Sequence, residues 1–88
     1  MDSKKISVYK TKIIKEDNDY LLITPYGKLI KINNLGKHIL DLSKENNKIS
    51  YIINTISNEY SISIKQATDD ILNFIHNMEL CGVIHVYK

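Results

Sequence analysis

The chain of 88 residues is long enough for one domain with one core. With 43% hydrophobic and 25% charged residues it is not a disordered chain, and a formal charge of +2, with lysine and no arginine on the basic side, gives no strong pull toward nucleic acid or anionic lipid. The single cysteine, Cys81, excludes an internal disulfide and points to a reducing, cytoplasmic setting, and no apolar run nears the roughly 20 residues of a membrane span.

Met1–Lys15 is polar and lysine-rich, unlike a signal peptide. Residues 1–5 are expected to be disordered ahead of a single domain. Ile6, Val8 and Ile13–Ile14, set among lysines, predict a first strand. Glu16–Asp19 is a polar turn, and Tyr20–Thr24 is apolar and β-prone. Thr24-Pro25-Tyr26-Gly27 has proline second and glycine fourth, which suits a type I turn. Lys28–Ile32 returns as a third strand, with Ile30 and Ile32 on one face and Leu29 and Lys31 on the other. Asn33 or Asn34 can cap a short helix carrying Leu35, Ile39 and Leu42 and ending near Ser43. Glu45–Lys48 is a loop. Ile49, Ile52, Ile53, Ile56 and Tyr60 follow at helical spacing. Ser63 and Gln66 form a capping box opening a third helix, with Ile62 as a staple onto Ala67. Its buried stripe is Ala67, Ile71, Phe74, Ile75 and Met78, and Gly82 ends it. Val83–Tyr87 alternates as a short terminal strand. The fold class is α+β: a three-stranded antiparallel meander followed by three helices, related in outline to winged-helix folds.

Three stretches carry a resemblance. They are Ile30-Lys31-Ile32-Asn33 with Leu35-Gly36; then Ile52, Ile56 and Tyr60; then Asp70-Ile71-Leu72-Asn73-Phe74-Ile75 with Met78 and Gly82-Val83-Ile84. In order and spacing the chain resembles the PqqD family, also called the RiPP recognition element, from Tyr20 to about Val86. The last stretch is similar to the family's Asp-Val-x-x-Phe-Leu-x-x-Leu-x-x-x-Gly-Leu pattern. Ile32 stands in place of the usual Leu before Asn33, and Ile84 extends the terminal apolar run.

The resemblance implies a non-catalytic domain without cofactor. It would bind the leader of a ribosomally made precursor peptide and present it to a separate enzyme, such as a radical SAM enzyme, a cyclodehydratase or a lasso-type peptidase. It implies that the leader adds as a strand to the edge of the third strand, Lys28, Leu29, Ile30, Lys31 and Ile32, in a groove walled by the third helix. The same open edge could pair with a second copy of the chain.

Helical angles of about 100° per residue divide the third helix into a core stripe and two flanks. Lys65, Thr68, Leu72, His76 and Glu79 share one flank. Leu72 is its apolar member, so Leu72, with Thr68 and Ile75 beside it, is expected to line the groove. Lys28, Lys31 and Lys65 could attract carboxylates of a leader; for Lys28 and Lys31, protection of a bare edge is the plainer role. The opposite flank, Gln66, Asp70, Asn73 and Asn77, reads as facing solvent or as capping.

Other chemistries find little support. His38, His76, His85 and Cys81 are the reactive candidates, and Gly82 separates Cys81 from His85, so neither a metal site nor a nucleophile pair is expected. Gly27, Gly36 and Gly82 lie too far apart for a phosphate loop. The rival is a winged-helix DNA-binding protein. Its reading helix would carry one lysine against Asp69, Asp70 and Glu79, which phosphate repels, and the chain lacks the arginine that most often reads guanine. A third reading is a subunit that docks on an enzyme without touching a peptide.

Overall fold

The computed structural model of the chain describes residues 4–88. In chain order it contains β1 (Lys5–Val8), β2 (Lys12–Glu16), β3 (Asp19–Ile23), β4 (Leu29–Ile32), α1 (Asn34–Glu45), α2 (Ile49–Tyr60), α3 (Ile64–Leu80) and β5 (Ile84–Tyr87). The architecture is α+β, with β2, β3 and β4 as an antiparallel meander and β1 paired antiparallel with β5 in a separate two-stranded ribbon.

The expected first strand is therefore two strands. Ile6 is buried and stands opposite Val86 in the ribbon, whereas Ile13 stands opposite Leu22 in the meander. The chain changes sheets at Tyr9–Thr11, where the Tyr9 N–H donates to the Val83 carbonyl at 2.8 Å. Of the residues expected to be disordered, 1–3 lie outside the described region. Lys5 belongs to β1, and the Lys4 carbonyl accepts from the Ile49 N–H at 3.1 Å.

The two hairpins of the meander follow from their turns. Asp17 takes a positive φ of 53° in the two-residue link from Glu16 to Asp19. At the other end the Gly27 N–H donates to the Thr24 carbonyl and the Thr24 N–H to the Lys28 carbonyl, with Gly27 at φ 84°. That is a three-residue loop closed by a glycine bulge. The inner face of the meander carries Ile13, Leu22, Ile30 and Ile32, with Leu22 fully buried.

The helices complete one continuous core, in which Ile39, Ile52, Ile56, Ile71 and Val83 are sealed from solvent. α1 opens on Asn33, whose side chain accepts from the Gly36 N–H at 2.9 Å, and it runs on to Glu45, past the expected end near Ser43. Ser63 caps α3 by accepting from the Gln66 N–H at 3.0 Å. The return arm of the capping box is missing, because the Gln66 amide donates to Asp70 at 2.9 Å, one turn along the same flank. α3 packs on α2 and β5.

Candidate functional site

Hydrogen-bond alternation fixes which groups of β4 are free. In an antiparallel pair, directly opposed residues alternate between bonded and non-bonded. Thr24 and Lys28 form a bonded pair, so Leu22 with Ile30 and Tyr20 with Ile32 do as well. The N–H and C=O groups of Lys28, Ile30 and Ile32 therefore face β3. Those of Leu29 and Lys31 point the other way, and no strand among the described residues meets them. β5, the segment that could have closed this edge, lies against β1 instead.

Two contacts set β4 alongside α3. Behind its C-terminal end, Gly36 sits beneath the Phe74 ring, so closely that a Cβ there would lie 2.7 Å from Cε1. Ahead of its N-terminal end, the Tyr26 ring lies over Gly82, where a Cβ would meet the ring at 2.9 Å. Phe74 and Gly82 are about 12 Å apart along the helix direction, and Lys28 to Ile32 spans about 14 Å of strand. The segment from Tyr26 to Gly36, which contains β4, thus runs alongside the stretch from Phe74 to Gly82 and antiparallel to it. At the Phe74 end a hollow of about 340 Å³ opens between Asn33, Leu35, Gly36 and Ile39 on one side and Asp70, Asn73 and Phe74 on the other.

The sequence-predicted residues divide between two places. Leu29, Ile30, Lys31 and Ile32 form the edge strand and Lys28 immediately precedes it: Ile32 is buried, Ile30 half-buried, and Leu29, Lys28 and Lys31 exposed. Lys65, Thr68, Leu72 and Ile75 are not beside them. Leu72 and Ile75 border a separate hollow of about 470 Å³ with His76, Glu79, Val86 and Tyr87, against β5. Ile75 belongs to the core at 3% exposure. Lys65 binds Asp69 at 3.2 Å, and the Thr68 hydroxyl donates to the Ile64 carbonyl at 2.7 Å. The flank expected to wall the β4 groove therefore faces β5. The opposite flank, Asp70, Asn73 and half-buried Phe74, with Asn77 one turn on, faces the start of α1, just past the C-terminal end of β4. Sequence reasoning missed it because both flanks are largely polar and only Leu72 broke the pattern. The overlooked signal is Gly36, the glycine that admits Phe74 to the N-terminal turn of α1.

Charge at the edge is basic on the strand and acidic or neutral on the helix. Lys28 and Lys31 have no carboxylate within ion-pair distance among the described residues. Within the same region, no group of three or more His, Cys, Asp or Glu side chains could hold a metal ion, and no helix is long and apolar enough to cross a membrane. Cys81 is half-buried at the C-cap of α3, and His85 lies between Tyr9 and Tyr87, stacked on the latter at 6.2 Å.

A solved structure titled TbiB1 in complex with the TbiA(beta) leader peptide has the same fold, with a TM-score of 0.76 at 21% identity over 92% of this chain and 94% of that one. No curated protein matches the sequence. The family model described as coenzyme PQQ synthesis protein D matches residues 13–84, which takes in the meander, all three helices and the start of β5. The chain belongs to the PqqD family.

Proposed function

We propose that this chain holds the leader segment of a ribosomally made precursor peptide and presents it to a separate modifying enzyme. The leader would add as a fourth strand to β4, and the chain itself would be an adaptor that leaves the chemistry to its partner. A radical SAM enzyme, a cyclodehydratase or a lasso-type peptidase would suit that role. The observation that carries the reading is the pair of outward N–H and C=O groups at Leu29 and Lys31, which no strand among the described residues meets. Family membership supports it, and so does likeness of fold to a protein solved with a leader peptide.

The chemistry is β-augmentation. Each backbone bond to the leader contributes about 0.5–1.5 kcal/mol net, and Leu29 and Lys31 together offer two donors and two acceptors. Affinity from these groups makes few demands on leader sequence. Selectivity would come from side chains that enter the hollow between Leu35, Gly36, Asn73 and Phe74, with Asp70 at its rim. Lys28 and Lys31 would favour carboxylates along the exposed side.

Two proline variants test the edge, read by binding of a labelled precursor leader peptide. The Lys31 N–H takes no part in the β3–β4 ladder, so Lys31→Pro should leave the fold intact and weaken leader binding about tenfold or more by removing a donor and placing a ring on the edge. The Ile30 N–H faces Leu22, so Ile30→Pro should unfold the meander. Wild-type leader affinity in a folded Lys31→Pro variant would rule out strand addition at β4.

A further inference from the structure

A second groove lies at the other margin of the meander. It encloses about 670 Å³ between α1 and the corner where β1 gives way to β2. β2 and β4 are the two outer strands of a three-stranded sheet, so this groove, which reaches Ile13 of β2, is separated from the β4 edge by β3.

Its lining is basic. Lys10, Lys37 and Lys44 contribute to the wall and no carboxylate does. Lys37 is held by Asp41 on α1 at 2.7 Å. Lys10 and Lys44 are exposed and make no ion pair among the described residues. Tyr9 and Tyr87 stand at the same rim, with the Tyr87 hydroxyl accepting from the Asn47 amide at 2.9 Å.

The groove also exposes backbone. In the β1–β5 ribbon Tyr9 and Val83 form a bonded pair, so the groups of Ile6 and Val8 face away from β5. The chain's own α1–α2 link uses part of that edge: the Ile6 N–H donates to the Asn47 carbonyl at 2.9 Å, and the Ile49 N–H to the Lys4 carbonyl. The pairing stops there, and Val8 presents a donor and an acceptor to the groove. An extended polypeptide continuing from the position of Asn47 would pair with Val8, and its side chains would pass between Lys10 and Lys44. The combination of backbone donor, backbone acceptor and unpaired ammonium groups suits an acidic peptide. A nucleic-acid backbone would leave the acceptor at Val8 unused.

We infer that the groove between α1 and the β1–β2 corner docks an acidic, extended segment of the modifying enzyme, so that leader and enzyme occupy opposite margins of the meander at the same time. The identity of the partner rests on the adaptor reading; the acidic chemistry rests on the groove alone. Attraction between charges at such a rim chiefly sets encounter and partner choice.

The test is an NMR titration of the isotope-labelled full chain with an acetylated octaglutamate peptide at physiological salt, where charges are screened beyond about 8 Å. The expected result is saturable shifts at the amides of Val8, Lys10, Lys44 and Asn47. Lys10→Glu with Lys44→Glu should weaken this response about tenfold or more, and Lys28→Glu with Lys31→Glu should leave it unchanged. Both pairs lie on exposed positions, and a thermal melt checks that they remain folded. The inference is overturned by no response, by shifts spread over every lysine-bearing segment, by shifts centred on β4, or by duplex DNA that fills the groove where octaglutamate does not. Leader binding is read in the same spectra at Leu29 and Lys31. Its failure would count against the adaptor reading and leave the acidic groove standing.

Discussion

Placing one methyl group at Gly36 tests the link between α1 and the wall of the β4 slot. Gly36 is the third residue of α1, and its backbone is already helical, so Gly36→Ala should gain up to about 1 kcal/mol from helix propensity. Against this, the new Cβ would lie 2.7 Å from Cε1 and 3.2 Å from Cζ of Phe74. The ring has to move, and overpacking of this kind costs about 1–3 kcal/mol. The expected net loss is about 0–2 kcal/mol, with each kcal/mol lowering Tm by about 4–8 °C in a domain of this size. Phe74 is only half-buried, so the ring can turn outward, and the hollow it borders is the space the leader would use. Leader affinity should therefore fall about tenfold, more than the stability loss alone implies. Urea melts and a fluorescence titration give the two numbers. Adding Phe74→Leu should recover part of the stability, with a coupling energy of about 0.5–3 kcal/mol between the two positions. A Gly36→Ala protein that gains the full helix-propensity increment and binds leader as before would refute the contact and its role in the slot.

The two flanks of α3 should respond differently. Asn73→Arg, at an exposed position facing the start of α1, should block the hollow and weaken leader binding about tenfold with stability unchanged within about 0.5 kcal/mol. Leu72→Asp, on the β5 side, should cost about 1–3 kcal/mol in a melt and leave leader affinity intact; the reverse pattern would show that the flanks are misassigned. Ser61 closes α2 in the left-handed region at φ 52°. Ser61→Gly should stabilise the fold by about 0.5 kcal/mol, the relief of left-handed strain less the added freedom of the unfolded chain, and a lowered urea midpoint would contradict this. Ile71→Ala, at a fully buried position, should lose about 2–5 kcal/mol, a large part of the stability of so small a domain; a near-neutral melt would mean the site repacks.

Much of this was legible in local chemistry. Helical spacing located α2 and α3, the Ser63 cap fixed the start of α3, and the Pro25–Gly27 turn placed the β3–β4 hairpin, because each signal acts between residues a few positions apart. The alternation of Ile30 and Ile32 with Leu29 and Lys31 assigned the faces of β4 for the same reason. Three features were not legible. Ile6 and Ile13 look alike as β-prone residues among lysines, yet they belong to different sheets, since a strand's partner is chosen by segments far along the chain. The flank of α3 that meets the start of α1 depends on the rotation of that helix about its axis, which α2 and β5 decide by packing on it. The basic groove exists only because β1 leaves the meander to pair with β5, which exposes Val8 and gathers Lys10 and Lys44 from separate elements. Sequence by itself determined the helices, the β3–β4 hairpin and most of their buried positions through local propensity and periodicity; tertiary structure decided which strands pair and which edges stay open, because an edge is free only where no distant segment has taken its hydrogen bonds.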